Sequence, residues 1–323
     1  MDIYTFTLFY IFIFGLIFGS FFNVVMLRPL SNETIMNPMF SKCPKCNHKL
    51  AWYDNIPLLS YAILRAKCRY CKAPIHWQYP LVEFLTAALF VCAYLKFGLT
   101  WQFLFMIIAL SFFIIMSGTD FKEQIIFTEH YIPFIITGIV YGIVTKNYLD
   151  TGLGILFGFI LMEALARSGY LFLKKRSFGD GDTYIAIGIG AFLGAKGIIL
   201  TIILATLIQV IWALPVIWIK YFKNKKYAEL STMFTFILIV TGYCFAYNYN
   251  ILTSGFLFWL LFILVLAYAF MVCKDLIMSA QLSDGGTYMP FGPALFAGAT
   301  IIIFFGDKIY DLLRNISWLA NIV

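Results

Sequence analysis

The chain has 323 residues, of which 62% are hydrophobic and only 12% charged, with a mean hydropathy of +0.88 and a formal net charge of +7. So apolar a composition excludes a soluble globular domain, and because lipid leaves no backbone group unpaired, the spanning segments must be helices or a closed barrel. The apolar runs are continuous rather than alternating, which selects helices of roughly 20 residues for about 30 Å of hydrocarbon.

Spans are expected at about 4–26, 80–97, 101–118, 130–145, 152–173, 183–195, 197–220, 230–248, 252–273 and 290–306, an all-α polytopic membrane protein of about eight to ten helices. The sixth and tenth are short. The first lacks a basic n-region and runs straight into "GSFFNVVMLRPL" with no small-residue cleavage site, so residues 1–27 read as a retained helix rather than a signal peptide.

Residues 28–79 form the largest polar segment and contain "CPKC" and "CRYC", with Cys43 and Cys46 separated from Cys68 and Cys71 by 21 residues. Four thiolates in two knuckles match a tetrahedral structural zinc site. A redox pair is the alternative reading of each CxxC, while a reducing cytoplasm argues against disulfides. So small a segment depends on metal for its fold. His48 and His76 are nearby, but four cysteines already fill a zinc shell. Cys92, Cys244 and Cys273 sit singly in or at the ends of apolar spans and are expected to be small buried side chains.

Four acids lie close to span boundaries further along. Glu83, at the entrance of the second span, reads as a snorkelling end charge or as a wall of a site, with the former preferred. Asp120 follows the apolar run 101–118 in "MSGTDFKEQ", and Asp180 and Asp182 stand between glycines in "RSFGDGDTYIAIG". Within a span, Glu163 and Arg167 have the spacing of an i,i+4 ion pair.

The loops 28–79, 119–129, 174–182, 220–229 and 274–289 hold 17 of the 23 Lys and Arg residues, which by the positive-inside rule makes them cytoplasmic. The excess positive charge therefore meets anionic inner-leaflet lipid and implies no nucleic-acid partner. Asp120 and the GDGD acids then share the cytoplasmic ends of their helices. An isolated boundary acid is most often just solvated, but ionisable groups at membrane depth are costly and usually mark function. Two carboxyl groups sharing a site cannot easily both ionise, so one keeps its proton and the pair supplies an acid and a base. That is the equipment of aspartyl protease chemistry. Gly179 and Gly181 would let an extended substrate backbone approach closely. Spacing alone does not separate Asp180 from Asp182.

These segments together resemble the type IV prepilin peptidase family, membrane aspartyl proteases of the GxGD class. The likeness begins at "GSFFNVVMLRPL" (19–30), continues through "CPKCNHKLAWYDNIPLLSYAILRAKCRYCKAPIHWQYPLVEFLTA" (43–87), Asp120 and "GDGD" (179–182), and closes with "PFGPALFAG" (290–298). The cysteine segment is its most specific part. The resemblance implies that Asp120 and Asp182 are the catalytic pair, that Gly179 and Gly181 are the glycines of GxGD, and that Asp180 is its variable residue. It implies as substrate a prepilin or pseudopilin with a short basic leader, cut at the cytoplasmic face of the bacterial inner membrane after a glycine. It also implies methylation of the new N-terminus with S-adenosylmethionine as donor.

Two departures stand out. The family usually carries a Pro-Asp pair after the first catalytic Asp, where this chain has Phe127 and Thr128 with Glu129 and His130 nearby, and the region 221–285 holds two spans beyond the usual core. The expected organisation is thus a first helix (1–27), a zinc module (28–79) and a membrane protease domain (80–323) with that insertion. Two rival classes remain: a transporter or proton-coupled channel, which needs acids near mid-span, and a non-catalytic assembly scaffold, for which both Asp residues would be dispensable. The sequence does not fix the oligomeric state.

Reporter fusions should place Ser60, Phe178 and Asn224 in the cytoplasm and Tyr148 outside. A periplasmic Phe178 would detach GDGD from the basic loops and reverse the orientation.

Overall fold

The computed structural model describes residues 3–31, 33–34, 40–173, 179–225 and 290–314, with scattered positions between 227 and 242. The span expected at 252–273, most of that at 230–248, and Cys244 and Cys273 lie outside the described residues. The chain divides into two compact units, one made of 1–163, 179–208 and 290–323, the other of 164–178 and 209–289. The first unit contains both candidate sites.

All regular structure among the described residues is helical. Helix α1 covers Ile3–Leu30, α2 Leu59–Ile63, α3 Gln78–Phe97, α4 Trp101–Glu123, α5 Thr128–Val144, α6 Tyr148–Leu173, α7 Asp180–Lys223 and α8 Gly292–Arg314, with a 3-10 turn at Trp52–Asn55. Six of these are long and apolar enough to cross a membrane, and α5 is a shorter apolar helix. The chain is a multi-pass membrane protein. The sixth and seventh expected spans are joined in α7, which breaks at Gly194 with φ +70°. No other residue suits this position: the left-handed φ disfavours a side chain, and a Cβ would strike the Asp150 carboxylate. Asp150 Oδ1 in turn accepts a hydrogen bond from the Ala195 amide (3.0 Å), capping the helix as it restarts.

Lipid tails are as apolar as leucine, so helices in a bilayer associate through close packing rather than hydrophobic exclusion. Small residues provide it here. Gly15 of α1 lies on the Ala87 backbone and Gly19 on Glu83 of α3, while Gly154 and Gly158 of α6 meet Gly190 and the Ala186 carbonyl of α7. Around the α1–α3 contact, Phe22, Val25, Met26, Val82 and Phe90 pack with Ile114 and Ile115 of α4 into a common core. Helix α5 lies along the first half of α7: Tyr131 stacks on Tyr184 (4.6 Å), Phe134 on Phe192 (5.4 Å), and Gly188 sits under the Phe134 ring.

Two expectations are corrected. Cys92 is exposed on α3 rather than buried. In lipid the outward face of a helix is as apolar as the inward one, so hydropathy carries no sign of which way a thiol turns. Glu83 does not snorkel: it is buried, with Oε2 accepting the Leu58 amide (2.8 Å) and a further hydrogen bond from Ser20. It ties α3 to α1 and to the segment 31–77 between them. Leu58 takes a left-handed conformation (φ +58°) at that bond, an uncommon one for a bulky residue. Asn23 of α1 reinforces the junction by donating to the Tyr79 carbonyl (3.3 Å).

Replacing Gly154 with Val should destabilise the protein by about 1–3 kcal/mol, because the new side chain meets backbone that cannot rotate away. Gly152→Ala, where nothing lies within 4 Å of the added Cβ, should stabilise by up to about 1 kcal/mol. Unfolding midpoints in mixed micelles measure both.

Candidate active site and metal centre

Helix α4 ends one turn after its acid. Gln124 adopts a left-handed conformation (φ 55°) and its amide returns to the Asp120 carbonyl (3.0 Å), closing the helix. Asp120 lies on the same face as Phe113 and Met116 and is therefore drawn inside, with 5% of its surface exposed. Its Oδ2 accepts from the Gly292 amide at 3.0 Å, at the opening residue of α8. A Cβ on Gly292 would collide with that oxygen, so the contact requires glycine. The sequence singled out "PFGPALFAG" only by resemblance. Its physical part is this amide, which residue types alone do not announce.

Asp182 is the third residue of α7 and reaches back to accept the Gly179 amide, the reciprocal half of a capping box. It is 8% exposed, whereas Asp180 is on the surface. Burial thus separates the two acids that spacing left open. Both buried carboxylates rest on first-turn amides, where the orphan N–H groups and the helix dipole favour negative charge.

Side-chain contacts set the relative heights of the two acids. Phe113 of α4 meets Phe134 of α5 (5.5 Å), so seven residues toward the C-terminal end of α4 Asp120 lies level with Phe127. Ile126 abuts Gly181 and Phe134 abuts Gly188, so Asp182 also lies level with Phe127. The two glycines of the motif differ. A side chain on Gly181 would strike Ile126, while Gly179 is exposed with no contact closer than 4.0 Å to an added Cβ. Phe127 is the N-cap of α5 and supplies no side-chain cap.

The four cysteines form a second centre. Their sulfur atoms all lie within 4.8 Å of one another, with Cys43 and Cys71 3.9 Å apart, close to the ~3.8 Å that a tetrahedron of 2.3 Å zinc–sulfur bonds requires. The two knuckles repeat each other. In the first, Lys42 bridges to Lys49, the Cys43 amide donates to the His48 carbonyl and Asn47 is left-handed; in the second, Lys67 bridges to Pro74, the Cys68 amide donates to Ala73 and Lys72 is left-handed. Against the opposing effect of burial, the Cys46 and Lys45 amides pull the Cys43 thiol down to about 7. The His48 amide lowers Cys46, but desolvation and the neighbouring Cys71 and Cys43 push it up to about 11. Crowded thiols of this kind fit a divalent cation. His48 stacks on Tyr70 (3.7 Å), and His76 Nδ1 accepts from the Gln78 amide (3.2 Å), so both histidines are otherwise engaged. Arg69 (2.8 Å) and Tyr70 (3.3 Å) bond the buried Asp54, fastening the second knuckle to the 3-10 turn.

Residues 13–97 match the bacterial peptidase A24 N-terminal domain and residues 107–214 the type IV leader peptidase family. Three relatives are each named a prepilin leader peptidase/N-methyltransferase. The protein of Xanthomonas campestris pv. campestris is 30% identical over 75% of this chain and 92% of its own. That of Klebsiella pneumoniae is 33% identical over 61% and 90%. That of Myxococcus xanthus is 34% identical over 61%, and the chain spans 59% of its length. No solved structure matches.

Protein purified without chelator should carry one zinc per chain by elemental analysis, and Cys68→Ser, which removes a buried ligand, should lose it. Metal-free wild-type protein would leave the four cysteines as ordinary thiols.

Proposed function

The chain belongs to the type IV leader peptidase family, and from that premise we infer that it is a membrane aspartyl endopeptidase that removes the basic leader of prepilins or pseudopilins. The observation that carries this reading is the pair of buried carboxyls, Asp120 and Asp182, at one height on two helices. With a single proton shared between them, the ionised carboxylate takes a proton from water as its oxygen attacks the scissile carbonyl. The protonated partner hydrogen-bonds the carbonyl oxygen. The tetrahedral species collapses as the C–N bond breaks and the nitrogen leaves with a proton from the pair, which returns the dyad to its starting charge.

Depth selects the bond. The leader's Lys or Arg residues stay in the cytoplasmic interface while the apolar helix stays in lipid, so the junction between them comes to the height of the pair. The exposed Gly179 supports approach by an extended backbone. A glycine before the cut fits, because a side chain there would hold the substrate away from the 179–181 turn, and a misplacement of about 1 Å costs on the order of 100-fold in rate.

The cysteine cluster would hold a structural zinc through Cys43, Cys46, Cys68 and Cys71 and take no part in the hydrolysis. Methylation of the new N-terminus, with S-adenosylmethionine as donor, rests on the names of the relatives, and no residue is assigned to it. The distribution of Lys and Arg supports a cytoplasmic placement of both the module and the pair in a bacterial inner membrane. A channel or transporter is disfavoured by the position of the acids, which lie at helix ends and not at mid-span.

In co-expression with a prepilin, followed by gel shift for cleavage and mass spectrometry for methylation, Asp120→Asn and Asp182→Asn should each lower cleavage by about 100- to 10,000-fold. Asp180→Asn should keep most of the activity. An essential Asp180 with a dispensable Asp182 would refute the assignment.

A further inference from the structure

Two buried polar atoms close to the height of Asp182 belong to neither centre. His130, in the first turn of α5, is 5% exposed, and Thr183, next to Asp182 on α7, is 4% exposed. His130 Nδ1 and Thr183 Oγ1 have no hydrogen-bond partner among the described residues. Buried polar side chains are nearly always paired, since an unpaired one keeps the cost of leaving water and gains nothing for it.

Packing puts the two residues at one height. His130 shares its helix face with Phe134, Gly138 and Gly142, the face that meets Phe113 of α4 and Gly188, Ala191 and Phe192 of α7. Because Ile126 abuts Gly181 and Tyr131 stacks on Tyr184, His130 lies level with Thr183 and Tyr184. One residue of α-helix separates Thr183 from Asp182 and three separate His130 from Phe127, so the two atoms sit about 1.5–4.5 Å further into the membrane than the carboxyl pair.

We propose that His130 Nδ1 and Thr183 Oγ1 form a subsite for the substrate backbone just C-terminal to the scissile bond. This rests on the peptidase reading. The C-terminal side of the cut is the apolar helix, which continues into lipid, so the residues following the bond lie deeper than the pair. An extended chain advances about 3.3 Å per residue, which brings the first or second of them to this height. Unwinding that stretch strips its N–H and C=O groups of their helical partners where no water replaces them. A neutral imidazole nitrogen accepts from an N–H, and a threonine hydroxyl donates to a carbonyl. The subsite holds backbone and reads no side chain, so it serves any sequence that can be unwound there.

The test uses full-length enzyme in proteoliposomes, with a prepilin of basic leader, glycine and apolar helix, and the variants His130→Leu, His130→Asn, Thr183→Val and Thr183→Ser beside Asp182→Asn. His130→Leu and Thr183→Val should each lower kcat/KM about 5- to 30-fold, the loss of one buried hydrogen bond, and the Asn and Ser variants should retain most of it. Their unfolding midpoints separate binding from scaffolding: Leu and Val remove an unpaired polar group and should leave the midpoint unchanged or higher. Unchanged kcat/KM in both would overturn the subsite and assign these atoms to bound water, and a midpoint falling together with activity would overturn it in favour of a structural role. If Asp182→Asn cleaves like wild type, the peptidase reading itself fails. If it is inactive while His130→Leu is unimpaired, only the subsite does.

Discussion

Backbone contact at glycine sets the position of every other group in the membrane unit. Helices gain little from hiding leucine in a medium that is itself hydrocarbon, so their spacing follows from how closely two backbones can approach. Gly154 and Gly158 bring α6 onto α7, Gly15 and Gly19 bring α1 onto α3, and Gly188 admits the Phe134 ring that aligns α5 with α7. The height of Asp182 follows from the Gly188 contact and that of Asp120 from Phe113, which meets the same Phe134 ring. At the site itself the same device works at shorter range: Gly292 can present its amide to Asp120 only because it has no side chain.

The carboxyl pair is therefore held by backbone on both sides, Asp120 by the start of α8 and Asp182 by the start of its own helix. Backbone amides fixed in a helix turn do not reorient when charge shifts between the two acids, which is the preorganisation an active site requires. The cysteine segment is anchored by the same economy of means. Buried Glu83 of α3 holds the Leu58 amide of that segment, and buried Asn23 of α1 holds the Tyr79 carbonyl where α3 begins.

The sequence made the membrane class, most helix boundaries and the residues that the structure gathers or buries, the four cysteines and the two acids, legible, because charges in apolar runs and paired CxxC motifs are rare events with few physical explanations. It could not choose between Asp180 and Asp182, since the choice depends on which side chain reaches back across the first turn. It misjudged Cys92 and Glu83 for one shared reason: in lipid the apolar pattern no longer tells the inside of the bundle from the outside. The likeness of the two knuckles was hidden as well. Only Lys42, Cys43 and Cys46 recur as Lys67, Cys68 and Cys71, while the repeated hydrogen bonds belong to the backbone. His130 was visible as an oddity in "IIFTEHYIP", but its burial follows from the face it shares with Phe134.

Two of the helical segments at the carboxyl pair are short. Helix α5 has 17 residues, about 26 Å of rise, and the first limb of α7, from Asp180 to the break at Gly194, rises only about 21 Å, against hydrocarbon of about 30 Å. Lipid beside such helices must dimple or let solvent in to cover the mismatch. Hydrolysis consumes one water for each bond cut, and a fully spanning bundle would keep that reagent out. The Gly194 break, by shortening the helical limb that carries Asp182, would bring the aqueous boundary closer to the proposed site.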